Sequence, residues 1–203
     1  MELISRILAP GVFGAEMKDT GQTIGLFPEE EPLMAKAGQK RRRDFALGRA
    51  CARSALSKLG QDGVAIGRDQ NGAPLWPEGV AGSITHTTGY AAALVARLGQ
   101  ISGIGVDAER IGGVTQNLWP RLFDAEECDY LIGLEAEDQK RAAALFFSAK
   151  EASHKAWGIK SALVFQEIHV APRSGGFIAT RGAENLQGRY TVEGDLMLTA
   201  AWF

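Results

Sequence analysis

The sequence predicts a mixed α/β (α+β) protein made of two similar α/β lobes, residues 1–101 and 102–203, packed face to face. Three observations carry this. Two long helical patterns, AKAGQKRRRDFALGRACARSALSKLG and EAEDQKRAAALFFSAKEASHKAWG, each run into a glycine, Gly60 and Gly158, the residue that most readily ends a helix in the left-handed conformation. A Leu-Phe pair precedes an acidic helix start in both halves, at Leu26 and Leu122, and a phenylalanine opens the informative part of each long helix, at Phe45 and Phe147. Aligned on these, Arg49 falls opposite Glu151 and Arg53 opposite Lys155, the pattern of a diverged tandem duplication. No low-complexity linker separates the halves, so one compact unit with a site at the lobe junction is expected.

Composition sets the frame. A chain of 203 residues with 45% hydrophobic and 23% charged residues is ordinary for a globular protein with a sizeable core. The 22 basic and 24 acidic residues nearly cancel, which leaves no global field favouring nucleic acid or an anionic membrane. The opening MELISRILAPGVFG is too weak for a signal peptide, and no stretch reaches membrane-spanning length. A soluble, cytoplasmic protein without nucleic-acid or membrane partners is expected. Cys51 and Cys128 lie in helical segments without metal-ligand spacing; reduced thiols are expected, with a disulfide between them left open.

Taken in order, LFPEEEPL leads into the first long helix. The stretch NGAPLWPEG is a turn-rich connection with two prolines. GSITHTTGYAAALVARL reads as a turn followed by a buried strand or short helix. ISGIGVDAERI has strand character. Asp124 caps a helix, with Glu127 placed to return the bond three residues on. The second long helix follows, and the remainder, from SALVFQEIHV to DLMLTAAWF, reads as short strands.

The residues that carry chemistry are few. Asp107 and Glu109 stand at i, i+2 in an apolar run, so both carboxylates leave one strand face while Ile104, Val106 and Ala108 take the other. Glu151 and Lys155, at i, i+4, share a helix face. Hard divalent cations take oxygen ligands, and Mg²⁺ binds through few carboxylates while keeping waters and phosphate oxygens. Each pair taken alone fits a metal site or a solvated surface equally well; together they point to metal-assisted chemistry on a phosphate.

Arg42, Arg49 and Arg53 lie within about 40° of one another on a helical wheel, with Arg41 beside them. Such a stripe matches phosphate oxygens or forms a solvated basic face. Gly48 within that helix implies a close neighbour. His86, among small hydroxylated residues, fits a phosphate donor, an acid or base, or a core histidine. His154 borders the Glu151 face, and His169 alternates with Ile168 and Val170 on a sheet surface. Neither a G-x-S-x-G nucleophile motif nor a G-x-x-x-x-G-K-[ST] phosphate loop is present, so covalent catalysis is not expected.

In this order, KRRRDFALGRACAR, NGAPLWPEG, GSITHT, GIGVDAER and FSAKEASHKAW resemble the 4′-phosphopantetheinyl transferases of the longer, monomeric type that includes the surfactin and enterobactin activators. The resemblance covers residues 26–160. It implies a pseudo-dimeric fold of two α/β lobes with coenzyme A between them. It also implies transfer of the 4′-phosphopantetheine arm to a serine of an acyl, aryl or peptidyl carrier protein, with release of adenosine 3′,5′-bisphosphate. Carried over by motif, Asp107, Glu109 and Glu151 hold Mg²⁺, with Mn²⁺ as a possible substitute. Glu151, Lys155 and Asp107 form the catalytic set. Arg41, Arg42, Arg49, Arg53, Gly72, Pro74, Thr85, His86, Lys150 and Lys155 contact the coenzyme.

Two positions depart from the family pattern. Ala73 stands where many members carry Lys or Arg before the proline, and His154 stands where relatives are often apolar or aromatic. Residues 112–134 are expected to help dock the carrier. A non-catalytic coenzyme- or carrier-binding module, or another Mg²⁺-dependent phosphate-transfer or hydrolytic enzyme, are the rival readings.

Overall fold

The computed structural model describes residues 2–158 and 164–203. In chain order the elements are β1 (Val12–Lys18), α1 (Gln39–Lys58), β2 (Val80–Thr87), β3 (Tyr90–Arg97), β4 (Ile104–Arg110), α2 (Trp119–Leu122), α3 (Ala125–Ile132), α4 (Ala136–Trp157), β5 (His169–Arg173), β6 (Gly176–Arg181), β7 (Glu184–Glu193) and β8 (Leu196–Trp202). They form a three-stranded sheet, β1-β3-β2, and a five-stranded sheet, β4-β8-β7-β6-β5, with every pairing antiparallel. The two sheets share a topological unit. In each, a first strand precedes a long helix and then pairs with the last strand, which also pairs with the one before it. The second sheet extends this unit by β5 and β6.

Strand β3 shows how the layers stack. Its run Tyr-Ala-Ala-Ala-Leu-Val-Ala is buried throughout, as a central strand covered on both faces must be. Ala91, Ala93 and Val95 pack with Cys51, Ala52, Ala55 and Leu56 of α1. Tyr90, Ala92, Leu94 and Ala96 face the other way, onto Ile104, Val106 and Ala108 of β4 and Leu198 and Ala200 of β8. The sheets therefore share a core, and α1 and α4 cover their outer faces. Helix α1 also lies close to the neighbouring β2: a Cβ on Gly48 would stand 2.8 Å from Ile84 Cγ2.

Strand β4 meets α4 more closely still. Gly103, Gly105, Asp107 and Glu109 alternate onto the helix face. A Cβ on Gly105 would fall 1.8 Å from Ala152 O, and one on Gly103 2.1 Å from Ala156 O. Only glycine permits this approach, and it is what brings the Asp107 strand against the helix of Glu151 and Lys155. At the outer edge of β4, toward β2, Val106 N donates to Ser83 Oγ (3.0 Å) and Ala108 N to Thr85 Oγ1 (3.1 Å). Side-chain hydroxyls thus satisfy backbone groups that a further strand would otherwise pair.

The helix ends follow their local chemistry. Gly60 and Gly158 adopt φ of 85° and 62° beyond α1 and α4, and Asp124 and Glu127 form a reciprocal capping box at the start of α3. Three readings change. GSITHT is itself strand β2, joined to β3 in a hairpin, because Ser83 and Thr85 alternate inward to serve β4 rather than forming a turn. VFGAEMK, to which the sequence assigned no element, is the edge strand β1, held by seven pairs to β3. Of the C-terminal run read as strands, Phe165–Glu167 is a short 3-10 turn, and residues 161–163 lie outside the described residues.

Candidate active site

Asp107 is the most heavily bonded carboxylate at the β4–α4 contact and is only 7% exposed. It accepts from Lys155 Nζ (2.7 Å), Ser148 Oγ (3.0 Å) and Thr85 Oγ1 (3.2 Å). Lys155 also donates to Val106 O at 3.0 Å. Ser148 is fixed in turn by Thr199 Oγ1 at 2.8 Å, so β2, β4, β8 and α4 converge on one side chain. Glu109 accepts from its neighbour's N–H, Arg110 N, at 2.9 Å and borders a cavity of about 600 Å³.

The three predicted metal ligands feel one another. Burial pushes the Glu151 carboxyl above the usual range; Lys155 opposes this, while the negative charges of Asp107 and Glu109 add to it. Glu109 is likewise raised by burial and by Asp107, against the Arg110 N–H. Hard oxygen donors whose mutual repulsion Lys155 only partly offsets suit a divalent cation. Their spacing is open, however: among the described residues, only Asp124, Glu127 and His169 bring three such ligand atoms within 4.8 Å of one another. A cation beside Asp107 would share its shell with water or substrate oxygens, as Mg²⁺ commonly does.

The tighter trio is a structural joint. Glu127 accepts from Val170 N (2.9 Å) on one oxygen and from Lys150 Nζ (2.5 Å) and Asp124 N (3.0 Å) on the other. Asp124 accepts from Glu127 N and bonds His169 Nδ1 at 2.8 Å. The cation of this cluster is the Lys150 ammonium, which corrects the expectation that Lys150 contacts coenzyme. Lys150 is fully buried and spends its other donors on Leu122 O and Phe165 O, both at 3.0 Å. Burial pushes Glu127 up and Lys150 down, each toward its neutral form.

The arginine stripe divides. Arg41 and Arg49 line a pocket of about 140 Å³ with Arg68 and His86. Arg41 Nη1 lies 3.1 Å from His86 Nε2. Arg49 donates to Ile66 O (2.8 Å) and Gly67 O (3.1 Å) and lies over the Phe45 ring. Burial lowers its pKa to about 10, which leaves it charged at neutrality. Burial, with Arg41 among the positive neighbours, lowers His86.

Arg42 and Arg53 turn away from that pocket. Arg42 pairs with Glu31, and Arg53 pairs with Glu30 at 2.7 Å while lying over Phe27. Glu30 is wholly buried and also accepts from Ile66 N and Phe27 N, so it requires a countercharge. Arg53 supplies it. Thr85 is a second correction: 4% exposed, with its hydroxyl committed to Asp107 and Ala108 N, it orients the carboxylate and does not line the pocket. Gly72 and Pro74 do line it, and they continue into an adjoining crevice of about 520 Å³ that reaches His154 and Lys155.

Sequence reasoning missed Arg68 and Ser148. Arg68 stood alone in a turn-rich stretch and gave no periodic signal. Ser148 did give one, since it falls within about 60° of Glu151 and Lys155 on the α4 wheel.

A carboxylate set with a tied lysine thus lies near an arginine- and histidine-lined pocket, donors and charges of the kind that suit phosphate oxygens. The comparisons sharpen this. Residues 29–96 match the family described as the 4′-phosphopantetheinyl transferase N-terminal domain, and residues 103–200 match the 4′-phosphopantetheinyl transferase superfamily. The 4′-phosphopantetheinyl transferase Npt of Nocardia iowensis is 41% identical over 170 residues, covering 83% of this chain and 76% of that protein. PptT of Mycobacterium tuberculosis (strain ATCC 25618 / H37Rv) is 34% identical over 230 positions, covering 98% and 96%. Among solved structures, a holo-(acyl-carrier-protein) synthase from Bacillus anthracis str. Ames, in complex with CoA (3′,5′-ADP), overlays on 50% of this chain and 95% of its own. Its TM-score is 0.45 and its identity 23%. The chain belongs to the 4′-phosphopantetheinyl transferase superfamily, a family of transferases.

Proposed function

We propose that the protein transfers the 4′-phosphopantetheine arm of coenzyme A to a serine hydroxyl of an apo acyl, aryl or peptidyl carrier protein and releases adenosine 3′,5′-bisphosphate. The observation that carries this reading is that the Arg41–Arg49–His86 pocket adjoins, through Gly72 and Pro74, a crevice that reaches Lys155, which bonds the Asp107 carboxylate. An elongated phosphorylated ligand fits that path.

Asp107, Glu109 and Glu151 would hold Mg²⁺, or Mn²⁺ in its stead, which when bound supplies positive charge to phosphate oxygens. The chain's own groups do the remainder. Arg41, Arg49 and His86 anchor the nucleotide end by its phosphates. Lys155, set by Asp107 and Val106 O, presents fixed positive charge to the charge that grows on the pyrophosphate. Glu151 takes the serine proton as the Oγ–P bond forms and the pyrophosphate P–O bond breaks; its burial favours the basicity this needs.

Residues 112–134 flank the cavity lined by Glu109, Val114, Leu118, Leu122, Phe147 and Phe165, which supports approach of the carrier from that side. The two lobes divide at residues 101 and 102, and the protein acts as a cytoplasmic monomer. No helix of the described residues is long and apolar enough to cross a membrane.

The test is a mass-shift assay with coenzyme A, Mg²⁺ and a panel of apo-carriers. Transfer supports the proposal. Coenzyme binding without transfer favours a binding module, and coenzyme hydrolysis without a carrier favours a hydrolase. Glu151→Gln should abolish transfer while leaving the fold intact; retained transfer would remove Glu151 from the mechanism.

A further inference from the structure

The crevice between the 69–76 loop with β2 and helix α4 has two unequal walls. Asp69, Asn71, Gly72, Ala73 and Pro74 form one and bring no cation to it, while His154 and Lys155 project from α4 on the other. A ligand anchored in the adjoining arginine pocket, with which the crevice shares Gly72, Pro74 and Ile84, and extending toward Lys155 lies between these walls. Lys155 is already committed to Asp107 and Val106 O. His86 and His169 bond to Arg41 and Asp124. Among the described residues, the ring of His154 bonds to none. It is half-buried, and burial, with Arg181 and Lys155 nearby, holds its pKa below the ordinary imidazole value. At neutral pH it is an uncharged ring with one N–H to give.

We propose that His154 is a coenzyme-binding residue whose ring N–H donates to an anionic oxygen of the coenzyme pyrophosphate from the α4 wall. Through this residue the second lobe grips the ligand that the first lobe anchors. This rests on the coenzyme A reading above.

Calorimetric titration of coenzyme A into the protein without carrier, alongside transfer kinetics, tests it. Loss of one hydrogen bond to a charged oxygen should weaken coenzyme binding about tenfold in His154→Ala and raise KM in proportion, with kcat held within about twofold. His154→Gln, which keeps an N–H at similar reach, should recover most of the affinity, and His154→Phe, which refills the space, should not. An unchanged Kd in folded His154→Ala or His154→Phe overturns the proposal, as does a Gln variant no better than Ala. A loss confined to kcat overturns it too. Wild-type transfer with an unchanged variant Kd removes the role of His154 alone. Absent wild-type transfer removes the functional reading, while the coenzyme titration still decides His154.

Discussion

Lys155 Nζ stands 2.7 Å from Asp107 Oδ1 and 3.0 Å from Val106 O, so one ammonium ties the helix of Glu151 to the strand of Asp107 and Glu109. The pair is partly screened, with side chains 29% and 11% exposed. Its worth to stability is therefore modest; its worth lies in where it holds a positive charge.

Lys155→Met should accordingly separate catalysis from folding. Removing a charge placed against a transferring phosphoryl group should lower kcat by about a hundredfold or more, while thermal unfolding shifts by only a few degrees. Equal loss of stability and activity would make Lys155 a structural tie only. Steady-state transfer assays and calorimetry on the same preparations decide it.

Lys150→Met should behave in the opposite way. The substitution strands the buried Glu127 carboxylate without its cation, and breaking such a pair typically costs about 3–5 kcal/mol. Urea unfolding should register that loss. Coenzyme affinity, measured on the folded fraction, should stay near wild type. A selective rise in the coenzyme Kd with normal stability would return Lys150 to the binding site.

Gly105→Ala places a methyl group where Ala152 O already lies, at 1.8 Å in the unrelaxed geometry. Strand and helix must part to admit it, at a cost of about 1–3 kcal/mol as overpacked cores show. Because the Lys155–Asp107 tie spans the same gap, transfer should fall further than stability implies. Full activity in this variant would mean that the β4–α4 distance does not set the site.

Asp124 gives a pH signature. Burial alone would raise its carboxyl, but the Glu127 N–H and His169 outweigh burial and hold it below the reference value of 3.8. A depressed folded pKa means the contribution is complete above about 3.8 and is lost as pH falls through the folded value. Asp124→Ala should thus cost about 1 kcal/mol near neutrality, the usual worth of an N-cap. The gap from wild type should close as the solution is acidified below about pH 3.8. A pH-independent gap would show that the cap acts through shape alone.

Much of this was legible because it depends on short-range spacing. The i, i+2 placement of Asp107 and Glu109 and the i, i+4 placement of Glu151 and Lys155 fix which face each side chain leaves. Gly48 within the first long helix likewise announced a close neighbour, Ile84. The Asp124–Glu127 capping box also reads directly. Partner choice is different. Nothing local says that Arg53 belongs to Glu30, that Lys150 turns inward to Glu127, or that Thr85 serves Asp107, because those bonds span 23, 23 and 22 residues. A buried acid far away in the chain outbids a surface role for a nearby cation, and only the tertiary arrangement reveals which acids are buried. Strand β1 was hidden for a related reason: as an edge strand with glycine and charged positions, it owes its form to β3.

The hydroxyls of Ser83 and Thr85 that close the edge of β4 make the halves interdependent. A polypeptide severed near residue 101 would leave Asp107 without its threonine and Val106 without its serine. The two fragments would regain activity only by reassociating, and a transfer assay on mixed fragments would read out that complementation directly.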